Sequence, residues 1–381
     1  MKTTRFLSLL LLGLIPGVAS AQNVQFQSGS SGMDGVFAPL VSTNLQLPEN
    51  GRFNFSEVFI PSGVTVGFLR NSNNTPVYFL ATGKIEIHGT LSVNGEAGTS
   101  LRGGYGGPGG FNGGMPGVVG SIPGDGEGPG GGRGSTNQAT VGRGIYGSAI
   151  PNGPRAEDGV VYGSQLLMPL VGGSGGGGVP GIGGGGGGGA ILIASSTLIT
   201  NGLNAQIYAQ GGTGGGWGSG GAIRMVAPMI AGRGWVSAAG PGGNANAGRI
   251  RCDLIERQFF NPTFNPATAP VTANETFMVT FPPNVPTLRL VSVAGTPVPA
   301  NGPAGFTITL PFNEPAQQSI VVEATGFGAE VPIAVKLTPA SGPAPAAINA
   351  SILNTGTEPA HTTVIGNFPP NVPVTVNAWT R

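Results

Sequence analysis

The stretch Gly83-Lys84-Ile85-Glu86-Ile87-His88-Gly89-Thr90-Leu91-Ser92-Val93-Asn94-Gly95 decides how the rest of the chain is read. Apolar and polar residues alternate through two short runs split at Gly89, the period of two half-buried strands. The first run recurs as Gly189-Ala190-Ile191-Leu192-Ile193-Ala194, Gly221-Ala222-Ile223-Arg224-Met225-Val226 and Gly248-Arg249-Ile250-Arg251-Cys252-Asp253. In the second run Leu91, Val93 and Gly95 correspond to Ile207, Ala209 and Gly211, and again to Val236, Ala238 and Gly240. Set in register, Ile85, Ile191, Ile223 and Ile250 form one column, and Ile87, Ile193, Met225 and Cys252 the next. A strand unit that cannot bury its own apolar face becomes stable when copies stack on it. The expected fold is therefore all-β and begins with a parallel β-helix-like solenoid. A β-sandwich or a set of hairpins would use the same strands, because strands alone do not determine topology. Working upstream, 53–55, 58–60, 64–66 and 77–80 are further short strand candidates, rich in β-branched and aromatic residues.

Between the repeats lies glycine. The chain has 381 residues with 72 Gly and 34 Pro, and 52 of the 72 Gly fall between residues 101 and 250. Two long insertions, about 99–189 and 211–221, are expected to be polyglycine- or polyproline-II-like. Glycine lets backbones approach closely, so they are read as packed along one face of the solenoid, with Leu166, Met168, Ile182 and Trp217 as apolar anchors. Collagen is excluded, since the Gly-x-y register that starts at Gly104 fails at Pro116. Calcium-binding nonapeptide repeats are excluded too, because Asp125, Glu127, Glu157 and Asp158 alone bring carboxylates to the Gly-rich runs. The match Gly142-Arg143-Gly144-Ile145-Tyr146-Gly147 to a dinucleotide fingerprint is accidental at this Gly density, and Pro151 and Pro154 forbid the helix that should follow.

Past residue 258 the composition changes, with 8 Gly in 124 residues. Strand candidates at 276–281, 287–293, 306–310, 319–324, 332–337, 348–353, 362–365 and 372–379 have the spacing of a β-sandwich, immunoglobulin-like in plan. Phe-Pro-Pro-Asn-Val-Pro occurs twice, at 281–286 and 368–373, which suggests two equivalent corners or two half-domains. The expected organisation is a signal peptide at 1–21, a β-helix-like domain at 22–257, a linker at 258–273 and a sandwich domain at 274–381. The signal peptide rests on Lys2 and Arg5, the apolar run from Phe6 to Ile15, and Ala19-Ser20-Ala21 as a cleavage site. It implies a secreted or cell-surface protein, and no transmembrane segment is expected.

With 17 basic and 16 acidic residues, charged side chains make up 9% of the chain. That balance lacks the basic face a nucleic-acid binder needs. The single Cys252 precludes an intramolecular disulfide and is read as a buried strand thiol. The two histidines, His88 and His361, have no second His at ligand spacing, and no Gly-x-Ser-x-Gly elbow or phosphate-binding loop occurs. No catalytic residue, metal site or cofactor is assigned. In the repeat register, Glu86, Leu192, Arg224 and Arg251 share an outward column, and His88, Ala194, Val226 and Asp253 another. Carboxylates and guanidinium groups on one face could bind or cleave an acidic polysaccharide, though a merely solvated face reads the same way. Trp217 and Trp235, with Tyr105 and Tyr146, could form a carbohydrate platform or anchor loops. The candidate binding residues are thus Glu86, His88, Arg224, Arg251, Asp253, Trp217 and Trp235.

The units Gly-Lys-Ile-Glu-Ile-His-Gly-Thr-Leu-Ser-Val-Asn-Gly, Gly-Ala-Ile-Leu-Ile and Gly-Ala-Ile-Arg-Met, spread over about half the chain, resemble secreted bacterial glycine-rich proteins with a right-handed parallel β-helix, pectin-lyase-like or adhesin-like in shape. The calcium-binding Asp and catalytic basic cluster of the lyases have no counterpart, so the resemblance implies no catalytic residue. The Gly-rich insertions are similar in composition to polyglycine-II bundles of some phage tail-fibre tips and antifreeze proteins. The expected function is a non-catalytic extracellular structural or adhesive protein, partnered by itself or by a surface or matrix polysaccharide. A carbohydrate-binding module and a polysaccharide lyase or hydrolase are the alternatives.

Overall fold

A computed structural model describes residues 26–118, 120–148, 155–241, 246–265, 278–283, 285–300, 305–356 and 358–381. The proposed signal peptide and the 266–273 part of the proposed linker lie outside these. Among the described residues the chain is all-β, with no helix.

The strands come in threes. The first circuit is β1 (Val36–Phe37), β2 (Thr43–Gln46) and β3 (Arg52–Phe55); the second is β4 (Glu57–Ile60), β5 (Thr65–Leu69) and β6 (Val77–Ala81). Then follow β7 (Ile85–Ile87), β8 (Thr90–Ser92) and β9 (Ala190–Ser195); β10 (Leu198–Asn201), β11 (Gln206–Tyr208) and β12 (Ala222–Val226); β13 (Met229–Gly232), β14 (Trp235–Ser237) and β15 (Arg249–Asp253); and a last strand, β16 (Thr263–Asn265). Every third strand pairs in parallel, giving three stacked sheets: β1-β4-β7-β10-β13, β2-β5-β8-β11-β14-β16 and β3-β6-β9-β12-β15.

Apolar residues repeat at equivalent positions because each circuit must fill the same interior. Val58, Ile85, Ile199 and Ile230 align in the first sheet, and Val66, Leu91, Ile207, Val236 and Phe264 in the second. Phe53, Phe79, Ile193, Met225 and Cys252 align in the third, and all three columns belong to one core. The columns of Ile191, Ile223 and Ile250, and of Ile193, Met225 and Cys252, occur as expected. So does the correspondence of Leu91, Ile207 and Val236.

Ile85 and Ile87 do not join those columns. They lie on β7 in the first sheet, opposite Ile199 and Asn201, while Ile191 and Ile193 face Val77 and Phe79. The alternation of Gly-x-Ile-x-Ile is the same on any sheet, so it cannot distinguish the first strand of a circuit from the third. Glu86 and His88 therefore leave the outward columns of Arg224 and Asp253. Residues 258–265, read as linker, extend the three-sheet body through the Gly232–Phe260 bridge and β16.

The long insertions leave at one corner, between the second and third strands of successive circuits: 93–189, 209–221 and 238–248. Their described residues form a bundle of extended segments joined by backbone hydrogen bonds. The run 183–189 shows the arrangement. Gly183, Gly186 and Gly189 donate to Thr99, Glu96 and Val93; Gly184 and Gly187 to Gly114 and Phe111; Gly185 and Gly188 to Gly216 and Ser219. Its carbonyls accept from three further segments, for example from Gly104, Gly176 and Gly212. The donor direction rotates with a period of three, so this run has six neighbours. Neighbouring backbone stands where side chains would be: a Cβ on any of Gly183 to Gly189 would overlap backbone atoms. That crowding explains seven consecutive glycines. Leu167 is buried here beside Tyr146, whereas the expected anchor Ile182 is exposed.

The C-terminal part forms two antiparallel sheets. After β17 (Thr287–Val293) come β18 (Thr296–Pro297), β19 (Gly305–Thr309), β20 (Gln317–Thr325), β21 (Gly328–Pro339), β22 (Ile348–Thr355), β23 (Ala360–Asn367) and β24 (Pro373–Thr380). Their orders are β18-β17-β20-β23 and β19-β24-β21-β22, and both contribute to a second core. Seven of the eight expected strands are found. Residues 278–281 of the remaining candidate carry no strand, and Thr276 and Phe277 lie outside the described residues. The two Phe-Pro-Pro-Asn-Val-Pro copies are not equivalent corners. Phe368 is in the second core, whereas Phe281 packs on Tyr78 of the third parallel sheet, with the Arg52 guanidinium 4.0 Å above its ring. Pro373 opens an interior strand, tolerated because it is the first residue.

Candidate ligand-binding cleft

The candidate binding residues are dispersed. Arg224, Arg251 and Asp253 come together, but beneath the surface: Arg224 is 1% exposed and Asp253 0%. The outer face of the third sheet is covered by Phe26, Leu170, Met278 and Phe281, so an outward column is not a solvated one. Asp253 Oδ2 accepts from Arg224 Nε (3.0 Å), Arg224 Nη2 (2.9 Å) and Arg251 Nε (3.1 Å), and Arg251 Nη2 lies 2.7 Å from Oδ1. Arg224 Nη2 also donates to the Val279 carbonyl (2.9 Å), fastening the covering segment. These groups bind one another and the covering segment, which is the geometry of a structural clasp.

Glu86 pairs with Lys84 on the first sheet (2.8 Å), and His88 stands 5.6 Å from the Phe59 ring. Trp235 is on the second sheet, 41% exposed, and Trp217 lies in the Gly-rich bundle, where its carbonyl accepts from Gly144. Tyr146 is fully buried against Tyr162, and Tyr105 lies under the Arg102 guanidinium at 3.9 Å. These aromatics are on different surfaces and make no common platform.

A different constellation lies where three parts of the chain meet. The 70–76 loop leaves the three-sheet body at the corner from which the bundle grows. Asn74, at φ 45°, takes the left-handed conformation that Asn tolerates. It fastens the loop to the bundle by donating to the Gly110 carbonyl (2.7 Å) and accepting from Gly109 N–H (3.1 Å). Arg70 Nη1 donates to Asn112 Oδ1 (2.7 Å) and the Gly106 carbonyl (3.2 Å). Asn112 Nδ2 donates to Glu127 Oε2 (3.0 Å), and Thr375 Oγ1 donates to Glu127 Oε1 (3.0 Å). An unbroken line of polar contacts thus runs from the three-sheet body through the bundle to the C-terminal sheets.

These groups line a cleft of about 300 Å³ with Ser72, Asn74, Phe111, Gly305, Phe306, Thr307 and Asn377. Burial pushes the Glu127 carboxyl above its usual range, opposed by hydrogen bonds from Thr375 and Asn112 and by the charge of Arg70. Burial likewise lowers Arg70, against the pull of Glu127. Glu127 is the only carboxylate among the described residues of the lining. Two residues away Asp125 points elsewhere, accepting from Gly134 N–H (2.8 Å) and from Ala344 N–H of the C-terminal part (3.1 Å). Burial raises its carboxyl too, and lowers the ammonium of nearby Lys336. The two acids that interrupt the Gly-rich run thus serve the junction with the C-terminal sheets, one at the cleft and one behind it.

Hydrolysis of a glycosidic bond by the usual route needs two carboxyl groups about 5–9.5 Å apart, and here one carboxylate is clamped between two donors. Sequence reading passed over Arg70, Asn112, Glu127 and Thr375. The available signal was Glu127 itself, one of the few carboxylates kept in a Gly-rich region.

No protein-family model matches the chain, and neither a curated protein nor a solved structure is similar to it. No helix among the described residues is long and apolar enough to cross a membrane.

Proposed function

We propose that this chain is an exported, non-catalytic structural or adhesive protein of the cell surface or extracellular matrix. In this reading the three-sheet body is a parallel β-helix of the adhesin-like kind, the insertions form a polyglycine-II-like bundle on one corner, and the C-terminal sheets are an immunoglobulin-like sandwich docked against it. The observation that carries the reading is the six-neighbour packing of 183–189. The centre of such a bundle spends its backbone polar groups on itself. The bundle supplies stiffness and position, which suits a scaffold that presents a surface to the outside, and the acids Asp125, Glu127 and Asp158 within it are each held by protein donors. The basic n-region and the Ala-x-Ala site of the N-terminus support export.

The test is expression of the full chain with its own N-terminus in a Gram-negative host. The mature protein is expected at the surface or in the medium, starting at Gln22, and to release no reducing ends or unsaturated products from a panel of polysaccharides. Retention in the cytoplasm with Met1 intact would overturn export. Measurable cleavage lost on Glu127→Gln would overturn the non-catalytic reading.

A further inference from the structure

The cleft at the three-way junction has a chemistry that names a ligand class, and the inference rests on the adhesive reading above. We propose that it binds one uncharged, hydroxyl-rich sugar unit, of mono- or disaccharide size, held edge-on by Arg70, Glu127 and Thr307.

Size comes first. About 300 Å³ is at the small end of ligand sites, which run from about 300 to 1,000 Å³. Charge comes next. One guanidinium and one carboxylate, linked through Asn112, leave the lining formally neutral. An anion would meet the Glu127 carboxylate and a cation would meet Arg70, whereas a neutral polyol meets neither penalty.

The hydrogen-bonding capacity that remains is of both kinds. Thr375 spends its one proton on Glu127 Oε1, so in the 2.9 Å contact between the Thr307 and Thr375 hydroxyls Thr307 must donate. The Thr307 oxygen then turns its lone pairs to the cleft as acceptors. The Glu127 carboxyl takes bonds from Thr375 and from the side chain and backbone of Asn112, and an ionised carboxylate has about four acceptor sites. A guanidinium has five N–H donors, and the Arg70 contacts to Asn112 and Gly106 come from Nη1. Donors on one side and acceptors on the other match vicinal hydroxyls, each of which gives and takes a bond.

Two further features fit. Phe111 supplies aromatic carbon among polar groups, the mixture that a sugar ring with its apolar C–H face requires, while the ring of Phe306 packs against the second core. At the floor, a Cβ on Gly305 would overlap Asn377 Nδ2, so glycine keeps the side chain of Asn377, 2% exposed, in place.

The experiment is saturation-transfer NMR on the full mature chain with methyl glycosides of glucose, galactose and mannose, methyl N-acetylglucosaminide, anionic sialic acid and cationic glucosamine. At least one neutral glycoside should bind, and more tightly than either charged sugar. Thr307→Trp and Ser72→Trp fill the mouth from exposed positions and should each weaken that binding at least tenfold, with unchanged circular dichroism and melting temperature. Preference for a charged sugar, absence of binding by all the neutral glycosides, or binding that survives both tryptophan variants would overturn the proposal. Each of those results leaves export and lack of cleavage untouched, so failure of the ligand assignment is distinguishable from failure of the adhesive reading.

Discussion

Gly184→Ala tests the bundle at its centre. A Cβ on Gly184 would lie 2.5 Å from the Gly176 carbonyl carbon, 2.8 Å from the Gly177 oxygen, and closer still to the Gly176 oxygen. All three are backbone atoms, so no side chain can rotate away, and the 173–179 segment must retreat by an ångström or more. It is tied to the 182–188 segment by Gly173→Gly188 (2.8 Å), Gly176→Gly185 (2.9 Å) and Val179→Ile182 (2.9 Å). Stranding the groups of two such bonds in a region that water does not reach costs about 1–3 kcal/mol each. Against that, replacing Gly by Ala stabilises by about 0.4–1 kcal/mol through the unfolded chain. The net expectation is a loss of about 1–5.5 kcal/mol, to be set against the ~5–15 kcal/mol that holds an ordinary domain. Gly356→Ala is the control, since nothing lies within 4 Å of a Cβ there, and it should stay within about 0.5 kcal/mol. Urea unfolding followed by tryptophan fluorescence reads the effect, with Trp217 reporting from the bundle. Amide exchange at Gly104 and Gly176 should accelerate with it. If Gly184→Ala matches the control in both measurements, the six-neighbour packing is wrong.

Two other perturbations probe the polar interior. Asp253→Ala leaves the Arg224 and Arg251 charges buried without a counterion and should cost about 3–5 kcal/mol in a urea titration, whereas Arg224→Met, Arg251→Met and Asp253→Leu together should cost less; equal losses would refute the clasp. Burial raises the Glu127 carboxyl in the folded chain, so its contribution to stability is full below the unfolded carboxylate pKa and is lost as pH rises through the raised value: the melting temperature of wild type, relative to Glu127→Gln, should fall on passing upward through the region just above the ordinary carboxylate range, and a flat or rising difference would refute it.

Much of the fold was legible because apolar periodicity reports directly on the interior. Ile191, Ile223 and Ile250 fell into register from sequence alone, since strands of equal length fill equivalent positions of one core. The phase of Gly83 to Ile87 was not legible. Those residues satisfy the same alternation as β9, and the extra strands β10 and β13, each four residues long, give no signal that separates two strands per circuit from three. The second Phe-Pro-Pro-Asn-Val-Pro copy misled for a related reason: an identical turn sequence specifies local geometry, while Phe281 and Phe368 are committed to different cores by what surrounds them.

The cleft was illegible for a deeper reason, and the same reason explains where it lies. Its polar line joins Arg70, Asn112, Glu127 and Thr375, positions separated by up to 305 residues, and no spacing rule connects them. What connects them is a corner. Three insertions leave the three-sheet body between the second and third strands of their circuits, so they must stack on one another and overhang the 70–76 loop of the circuit before them. A bundle so placed buries backbone against backbone, and a carboxylate inside it is costly unless it has partners. Asp158 has them in Arg143, by two side-chain bonds of 3.0 and 2.6 Å; Asp125 and Glu127 have Gly134 and Asn112 within the bundle and add Ala344 and Thr375 from the C-terminal part. The retained acids therefore mark the seam along which the two parts of the molecule meet. A site with one neutral pair of charges, between walls of unrelated origin, follows from that seam and not from any motif.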